Sequence, residues 1–438
     1  MKKLLLAAIL TSFSGLVWSG QAIYTPGTMA TTGNTSIGLH LLSVTHNPAA
    51  GQLVLKPKDN FRMGYLSSAG FALEYGDVGN FSDELNDLTD LLDDGNVTLD
   101  EANSTLTRFN NVIADLAESG YIKGSGDLSI PGFPMVFHSE TLGGNVALEG
   151  EVNLQFKGSV LASNSDVCGN LLCLDVNFGT YDTKTSLYLK GAQLSRFAVG
   201  YSRPVWSSEH GKLLGGVKLQ AYNMQLSKQV ISLNTLDGED VSDVIQDDYK
   251  NNQVSTTAVG LDAGLIWVAP RYQVGVTLAN INEPSFKFGA VGTDCSSLTG
   301  DSANNCFVAS DFANSGLIDA TESHVMSALT TLEGAFAITP RWYLAGSYDL
   351  SKYNDPVGDT LQMASIATSY EPATWWIPGW RLGYRANLAG EKVDAVTAGL
   401  TLFSFINADV SVGLTNTEVD GDSYPRALSF NIGFEQSF

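Results

Sequence analysis

Residues 428–438, the last eleven of the chain, read L-S-F-N-I-G-F-E-Q-S-F. Every second residue, beginning with Leu428, is apolar except Gln436, and the sequence ends on Phe438. Alternation of this length is the period of a β-strand with one apolar and one polar face. A final strand that ends on an aromatic residue is typical of bacterial outer-membrane barrels, whose assembly machinery recognises it. We therefore predict a strand that lies in a membrane, and its assembly signal would be Phe430, Ile432, Phe434 and Phe438.

The N-terminus has the features of a secretory signal peptide. Lys2 and Lys3 precede an apolar stretch at 4–18, and small residues, Gly20 and Ala22, lie at the two positions that a signal peptidase recognises before its cleavage site. We expect cleavage after Ala22, so that residues 1–22 form the signal peptide. The apolar stretch is too short for a transmembrane helix, and no other run approaches the roughly 20 apolar residues that one needs. Such a chain can span a membrane only as a closed barrel.

The charge balance is strongly acidic, with 24 Lys and Arg against 46 Asp and Glu and a formal net charge of −22. This argues against DNA or RNA as a direct ligand, because proteins bind phosphates through Lys and Arg. Many of the acidic residues are concentrated in one segment, since residues 77–118 hold eleven Asp and Glu and a single basic residue, Arg108. We interpret the excess as solvated loop surface rather than as a binding field.

Alternation of apolar and polar residues recurs along the chain, for example at 271–278 and 380–388. The polar face of these segments carries Arg, Gln and Asn, which suits a barrel lumen better than the packed interior of a soluble sandwich. The segment 180–203 could be a hairpin or one strand, and the shared parity of its apolar residues favours one strand. The predicted strands are 60–76, 133–141, 145–162, 180–203, 212–231, 252–269, 271–281, 321–338, 341–352, 358–371, 378–389, 392–404, 405–416 and 426–438.

These segments predict an all-β fold, a transmembrane antiparallel β-barrel of about 14 strands over residues 59–438. Traced back from Phe438, which must lie on the periplasmic side, every long connection falls outside the cell, as in known outer-membrane barrels. Gly390 makes the one short external turn.

The longest connection, residues 77–132, is predicted to be a helical extracellular insertion. Its apolar residues between 81 and 117 follow a spacing of three and four, which predicts a helical hairpin. A weaker helix is predicted at 236–249.

Residues 90–101 of this insertion read D-L-L-D-D-G-N-V-T-L-D-E and fit part of an EF-hand loop. Leu92, however, stands at the third position, where an oxygen ligand is needed. The alternative is a plain turn before an acidic helix N-terminus. The candidate ligands for Ca²⁺ are Asp90, Asp94, Asn96 and Glu101, and the sequence indicates no other cofactor.

Four cysteines fall in two close pairs, each within a stretch rich in Gly, Ser and Asn. In an exported protein this spacing predicts two local disulfides in loops, Cys168–Cys173 and Cys295–Cys306. The alternative is two pairs of free thiols.

Residues 23–58, between the signal peptide and the first predicted strand, are too irregular for the wall of a barrel. They hold several apolar residues, including Ile37 and Leu41, and contain the sequence Asn47, Pro48, Ala49. We predict that this segment folds into the lumen as a hatch or plug. The alternative is a disordered periplasmic tail.

Sequence motifs of catalysis are not apparent. The five histidines show no H-E-x-x-H spacing, and no G-x-S-x-G sequence occurs. Because a barrel hydrolase can assemble its triad from distant strands, this does not exclude catalysis. We expect a protein that is not an enzyme, without catalytic residues.

Four segments resemble a known group of proteins: N-P-A-A-G at 47–51, G-Y-S-R-P-V at 200–205, G-K-L-L-G-G-V-K-L at 211–219, and the stretch 261–284. The chain resembles the FadL-like superfamily of fourteen-stranded outer-membrane barrels, which carry an Asn-Pro-Ala element in an N-terminal hatch. Within it, the chain is most similar to the barrels labelled conjugal-transfer TraF-like proteins. The resemblance implies the barrel, its hatch and an outer-membrane location in a Gram-negative bacterium.

Two functions remain open from the sequence. FadL-like transporters take up small hydrophobic molecules, so the first expectation is passive uptake or binding of small apolar molecules. The alternative is a non-enzymatic envelope component of a conjugal plasmid-transfer apparatus. The expected partners are outer-membrane lipid, lipopolysaccharide and the barrel-assembly machinery, with an apolar small molecule or conjugation envelope proteins as specific partners.

Overall fold

The computed structural model describes residues 26–55, 59–76, 111, 113–163, 184–235, 252–419 and 422–437. One large antiparallel sheet forms the wall of the molecule. Its strands are β1 (Phe61–Tyr75), β2 (Tyr121–Ser129), β3 (Met135–Ser139), β4 (Gly144–Leu161), β5 (Ser186–Ser208), β6 (Gly211–Ser232), β7 (Val254–Val268), β8 (Tyr272–Ala279), β11 (Leu329–Thr339), β12 (Trp342–Asp349), β15 (Met363–Tyr370), β16 (Gly379–Asn387), β17 (Asp394–Leu402), β18 (Ile406–Gly413) and β21 (Ala427–Ser437). Three two-stranded sheets lie in the connections: β9 with β10 (Ser285–Lys287 and Ser323–Val325), the β13–β14 hairpin (Tyr353–Asn354 and Thr360–Leu361) and the β19–β20 hairpin (Asn416–Val419 and Asp422–Pro425).

The sheet closes into a barrel because β1 pairs with β21 and β2 pairs with both β1 and β4. β2 and β3 occupy one place in the wall, since both pair with β1 on one side and with β4 on the other. The barrel therefore has fourteen strand positions and one extra strand. This confirms the predicted all-β barrel of fourteen strands, and β5 is one continuous strand as the parity of its apolar residues predicted.

The prediction for residues 77–132 was wrong at its end, where β2 is part of the wall rather than of an insertion. The outward positions of this strand include Gly124 and Gly126, so the apolar alternation is absent from its sequence. A Cβ at Gly124 would overlap the ring of Phe156 on β4, which covers this glycine from outside. Between β2 and β3 the wall continues through single bonds, among them Ile130 N donating to Gly150 O at 2.9 Å.

The outer surface of the barrel is apolar. Exposed side chains on the outward face of the strands are mostly Leu, Val, Ile and Phe, whereas inward positions are polar or small. Aromatic pairs lie near the short turns: Trp206 stacks on Trp267 with ring centroids 5.6 Å apart, and Trp342 contacts Trp380 at 6.3 Å. Such a band with aromatic residues at its edge is the surface that outer-membrane barrels present to lipid. In the part of the chain that the structure describes, no helix is both long and apolar enough to cross a bilayer.

The two ends of the barrel differ in their connections. One end, the turn end, has only short links between consecutive wall strands, such as 209–210 and 340–341. The other end, the loop end, carries the long connections, including 76–120, 280–328 and 350–362. This is the asymmetry that the sequence predicted.

The connection 280–328 contains a helix, Gly300–Asn314, that the sequence analysis did not predict. Its sequence is polar, and the side chains that it buries include only two apolar ones, Ala309 and Phe312, which gives a weak periodic signal. Cys306 lies in this helix and forms a disulfide with Cys295, which precedes it. Residues 113–119 are helical. The remainder of the predicted helical hairpin, the candidate calcium ligands, the helix at 236–249 and the pair Cys168 and Cys173 lie outside the described residues.

Candidate functional site

Residues 26–55 lie inside the barrel and contact its inward face. They contain only short elements, namely the helices Met29–Thr32, Ser43–His46 and Gly51–Val54 and a 3-10 turn, Pro48–Ala50. Ile37, Leu41 and Leu42 are fully buried. The elements pack against β4 to β7 on one side and β15 to β18 on the other, so the segment crosses the lumen.

The sequence Asn47, Pro48, Ala49 forms a bend that is fixed to the wall. Asn47 Oδ1 accepts a hydrogen bond from the backbone N–H of Ala49 at 2.9 Å, which caps the 3-10 turn. Asn47 Nδ2 donates to Glu333 on β11 at 2.6 Å. A Cβ at Gly264 would overlap the side chain of Asn47, so this position on β7 must be a glycine for the bend to reach the wall.

Three carboxylates of the wall hold the N-terminal segment. Glu333 also accepts hydrogen bonds from the backbone N–H and the hydroxyl of Ser36. Asp409 on β18 accepts from the hydroxyl of Thr31 at 2.5 Å, and Glu435 on β21 accepts from the backbone N–H of Leu41 at 3.2 Å. These contacts anchor the segment at three separate strands.

Buried ion pairs fill the lumen beside β4 to β7. Arg196 lies 3.1 Å from Glu149 and 2.9 Å from Glu151. Lys218 lies 3.4 Å from Glu149 and 3.6 Å from Asp262, and it donates to the carbonyl oxygen of Thr45 at 2.6 Å. Each of these buried charges therefore contacts at least one opposite charge, and Lys218 also contacts the backbone of the N-terminal segment.

Four lysines form a row across the inner wall near the loop end. Lys123 on β2 pairs directly with Lys157 on β4, Lys157 pairs with Lys190 on β5, and Lys190 pairs with Lys228 on β6. Like charges that face each other across strands destabilise a sheet. The lysine row therefore needs negative charge from elsewhere.

That charge comes in large part from residues 350–362, which we call the strap. The strap starts at β12 and ends at β15, on the side of the barrel opposite β2 and β4. Lys123 Nζ lies 2.6 Å from a carboxylate oxygen of Asp355 and 2.6 Å from one of Asp359, which also pairs with Lys157. Burial alone would raise the pKa of Asp359, but the ammonium groups of Lys123 and Lys157 outweigh it and lower the pKa. Glu322 similarly pairs with Lys190 and lies 3.6 Å from Lys228.

A cavity of about 240 Å³ lies between the strap and the N-terminal segment. The strap contributes Tyr353 and Asp359, and the N-terminal segment contributes Met29 and His46. Its wall is a mixture of apolar residues, such as Leu329 and Met363, with serines and charged groups. Burial and then the positive charge of Lys218 lower the pKa of His46 to about 3, so the imidazole is neutral. The cavity can hold a small molecule with both apolar and polar parts.

Of the residues singled out in the sequence, Asn47, Pro48 and Ala49 are buried where the N-terminal segment meets β6 and β7. Phe430, Ile432 and Phe434 lie on the outward face of β21, and Phe438 lies outside the described residues. Sequence reasoning missed the lysine row and the strap. A signal existed, because each of the four lysines falls at an inward position of its strand, but only the register shows that they are neighbours.

Several solved transporters and channels are similar to this chain in structure. The Ralstonia pickettii toluene transporter TbuX has a TM-score of 0.44 at 11% identity, covering 95% of this chain and 98% of its own. The CymD monoaromatic hydrocarbon channel has a TM-score of 0.45 at 11% identity, covering 96% of this chain and 99% of its own. The Pseudomonas putida toluene transporter TodX has a TM-score of 0.43 at 12% identity, covering 97% of this chain and 100% of its own. A comparison with curated proteins found no match.

A family model described as "F plasmid transfer operon, TraF, protein" matches residues 44–349. The match begins just before Asn47 and ends at the last residue of β12, so it takes in the bend at Asn47, Glu333 and the lysine row. Because it spans well over half of the sequence, the chain belongs to this TraF family.

Proposed function

We propose that the protein is a Gram-negative outer-membrane barrel that binds small, mainly apolar molecules in its lumen and lets them pass. The apolar outward face and the aromatic residues near the turn end support a location in lipid and lipopolysaccharide, with the turn end in the periplasm. The terminal strand with its aromatic residues supports insertion by the barrel-assembly machinery. The N-terminal segment acts as the hatch of this barrel.

The observation that carries the proposal is the cavity between the strap and the hatch. An engineered apolar cavity of ~150 Å³ in another protein binds benzene, so about 240 Å³ is room for a molecule of that class. The strap lies over the cavity on its loop-end side, and the hatch lies against it on its turn-end side. Passage therefore requires one of them to move, and binding requires only local opening.

Binding can be tested with the purified protein in detergent and a fluorinated alkylbenzene, whose ¹⁹F resonance reports the bound state. Ser411→Trp would fill the cavity from β18, where this serine is an inward, lining residue. Val412→Trp, on the next and outward position, is the matched control. We expect a bound resonance that Ser411→Trp removes and Val412→Trp keeps. Equal spectra for the wild type and both variants would overturn the proposal.

Location is tested by fractionation. The protein should be in the outer membrane and should need detergent for extraction. A soluble monomer in buffer would end the assignment.

The second candidate is a non-enzymatic envelope component of a plasmid-transfer apparatus, which the description of the family favours. The many buried ion pairs of the lumen also suit a structural role. Measuring plasmid mating frequency and uptake of a small apolar probe in the same deletion strain separates the two. Loss of mating with unchanged uptake supports the second candidate and counts against the first.

A further inference from the structure

Five polar side chains at one side of the cavity form a continuous hydrogen-bonded network. Arg196 Nη1 donates to Gln220 Oε1 at 2.8 Å, and Gln220 Nε2 donates to Asp262 Oδ2 at 2.8 Å. Asp262 Oδ1 accepts from the backbone N–H of Asn280 at 2.9 Å, and the hydroxyl of Tyr222 donates to Asn280 Oδ1 at 2.8 Å. All five residues line the cavity.

The network leaves two donors without a partner among the residues that the structure describes, Asn280 Nδ2 and Arg196 Nε. Their side chains are deeply buried, since Asn280 is 1% exposed and Arg196 is 4% exposed. A buried donor without an acceptor costs free energy, so an acceptor that reaches either of these two donors would recover part of that cost. His46 Nε2, on the hatch side of the same cavity, is likewise unpartnered within the described chain.

The charges around the network decide which acceptor fits. Arg196 and Lys218 are positive, whereas Glu149, Glu151 and Asp262 are negative, so this group of contacting charges has a formal net charge of −1. A carboxylate or phosphate ligand would add a second uncompensated negative charge in a buried site. A neutral carbonyl oxygen can accept from Asn280 or from Arg196 without that cost.

We propose that this network is a headgroup subsite for the neutral carbonyl oxygen of a small amphipathic ligand, such as an aryl ketone. The apolar body of the ligand lies against the apolar part of the cavity, which includes Met29, Leu329 and Met363. This inference rests on the proposed function, because it assigns the chemical class of the molecule that the lumen binds.

The test compares three ligands of one size, each with a fluorine on the ring: an ethylbenzene, an acetophenone and a benzoate. They are titrated by ¹⁹F NMR into the full-length protein in detergent, and Ser411→Trp supplies the background. We expect the ketone to bind about tenfold more tightly than the hydrocarbon, because it gains one or two hydrogen bonds. The benzoate should bind more weakly than the ketone.

Asn280→Asp replaces the free donor with a carboxyl oxygen, which also adds an acidic group to a site whose formal net charge is already −1. The new carboxylate still accepts from Tyr222, and an aspartate tolerates the left-handed backbone at this position, where φ is 51°. The affinity of the variant for the ketone should fall to that for the hydrocarbon or below it. Its affinity for the matching alcohol, 1-phenylethanol, should be kept, because the hydroxyl can donate to the carboxylate. Asn416→Asp, an exposed asparagine in the β19–β20 hairpin, is the matched control and should change neither.

The outcomes distinguish the two levels of the proposal. If the hydrocarbon and the ketone bind equally, or if Asn280→Asp leaves the ketone unaffected, the subsite is overturned while binding in the lumen stands. Water satisfying the two donors would give that result. If the benzoate binds most tightly, the choice of a neutral acceptor is overturned. If none of the ligands gives a resonance that Ser411→Trp removes, the proposed function and the subsite both fall.

Discussion

Asp359→Asn tests whether charge holds the strap over the cavity. Asp359 is buried and contacts two ammonium groups, those of Lys123 and Lys157. The asparagine keeps the shape but leaves four lysines with only Asp355 and Glu322 as direct carboxylate partners among the residues that the structure describes. Removing one partner from a buried ion pair costs about 3–5 kcal/mol. Because Asp355 still contacts Lys123, we expect a cost at the lower end of this range, about 3 kcal/mol. If that cost falls on strap closure, the open fraction rises about a hundredfold.

The opening can be measured through a cysteine at Val357, which is at the bend of the strap and 3% exposed. With Val357→Cys as the background, the rate at which a maleimide labels this cysteine reports the fraction of time that the strap is open. We expect Asp359→Asn to raise the rate by up to two orders of magnitude. Asp422→Asn, an exposed carboxylate in the β19–β20 hairpin, should leave it unchanged. An unchanged rate in Asp359→Asn would refute the argument that the lysine row holds the strap.

The sign of the pH dependence follows from the lowered pKa of Asp359. Because the pKa is lower in the closed state than in the open state, the stabilisation is complete above the ordinary pKa of ~3.9 and is lost as the pH falls through the lower value. Maleimide chemistry is slow at such pH, so hydrogen exchange of strap amides is the suitable measurement. Exchange corrected for its intrinsic rate should accelerate below about pH 4 in the wild type and should depend less on pH there in Asp359→Asn, in which Asp355 still contacts Lys123.

Three further predictions concern the hatch and the wall. Glu333→Gln should weaken the attachment of the hatch by about 1–3 kcal/mol, because an amide donor then faces the donors of Ser36 and Asn47; limited proteolysis within 26–55 should become faster. Lowering the pH from 7 to 4 should loosen the hatch, because His46 is neutral when buried but binds a proton near pH 6.5 when the hatch is released. Amide hydrogen exchange of residues 26–55 measures this loosening, and His46→Gln should make the exchange depend less on pH. Leu382 is 51% exposed at an outward position near the middle of β16. Leu382→Arg should lower the free energy of unfolding in lipid vesicles, measured with urea, by about 2–4 kcal/mol, and by much less if this face contacts water instead of lipid.

The sequence predicted the barrel because a wall strand with large apolar residues on its outward face can be recognised from its own residues. The alternation at 428–438 is visible without any knowledge of neighbouring strands. β2 shows the limit of this reasoning, since its outward face is supplied in part by Phe156 from the next strand rather than by its own Gly124. A strand whose apolar cover belongs to a neighbour cannot be recognised from its own residues.

The site could be predicted only in part for a related reason. The bend at Asn47 is a local feature, and its position before the first strand indicated where it would lie. Its partner Glu333 is 286 residues away in sequence, and nothing near either residue indicates the other. The lysine row depends on register in the same way, because a slip of one residue would turn a lysine to the lipid face.

The contacts of the two elements that border the cavity, the hatch and the strap, also indicate which of them should move first. The hatch is held at Glu333, Asp409, Glu435 and Lys218, on four strands around the barrel, so releasing it requires many buried polar contacts to break together. The strap reaches the opposite wall at one patch, through Asp355 and Asp359, and its other contacts, such as Asn387 Nδ2 donating to Thr360 O at 3.1 Å, lie beside its own ends at the loop end. An element attached at one patch can open locally at a fraction of the cost of one attached on several sides. We therefore expect maleimide to label a cysteine in the strap much faster than one at Val44 in the hatch, and the opposite order would mean that the cavity communicates with the turn end first.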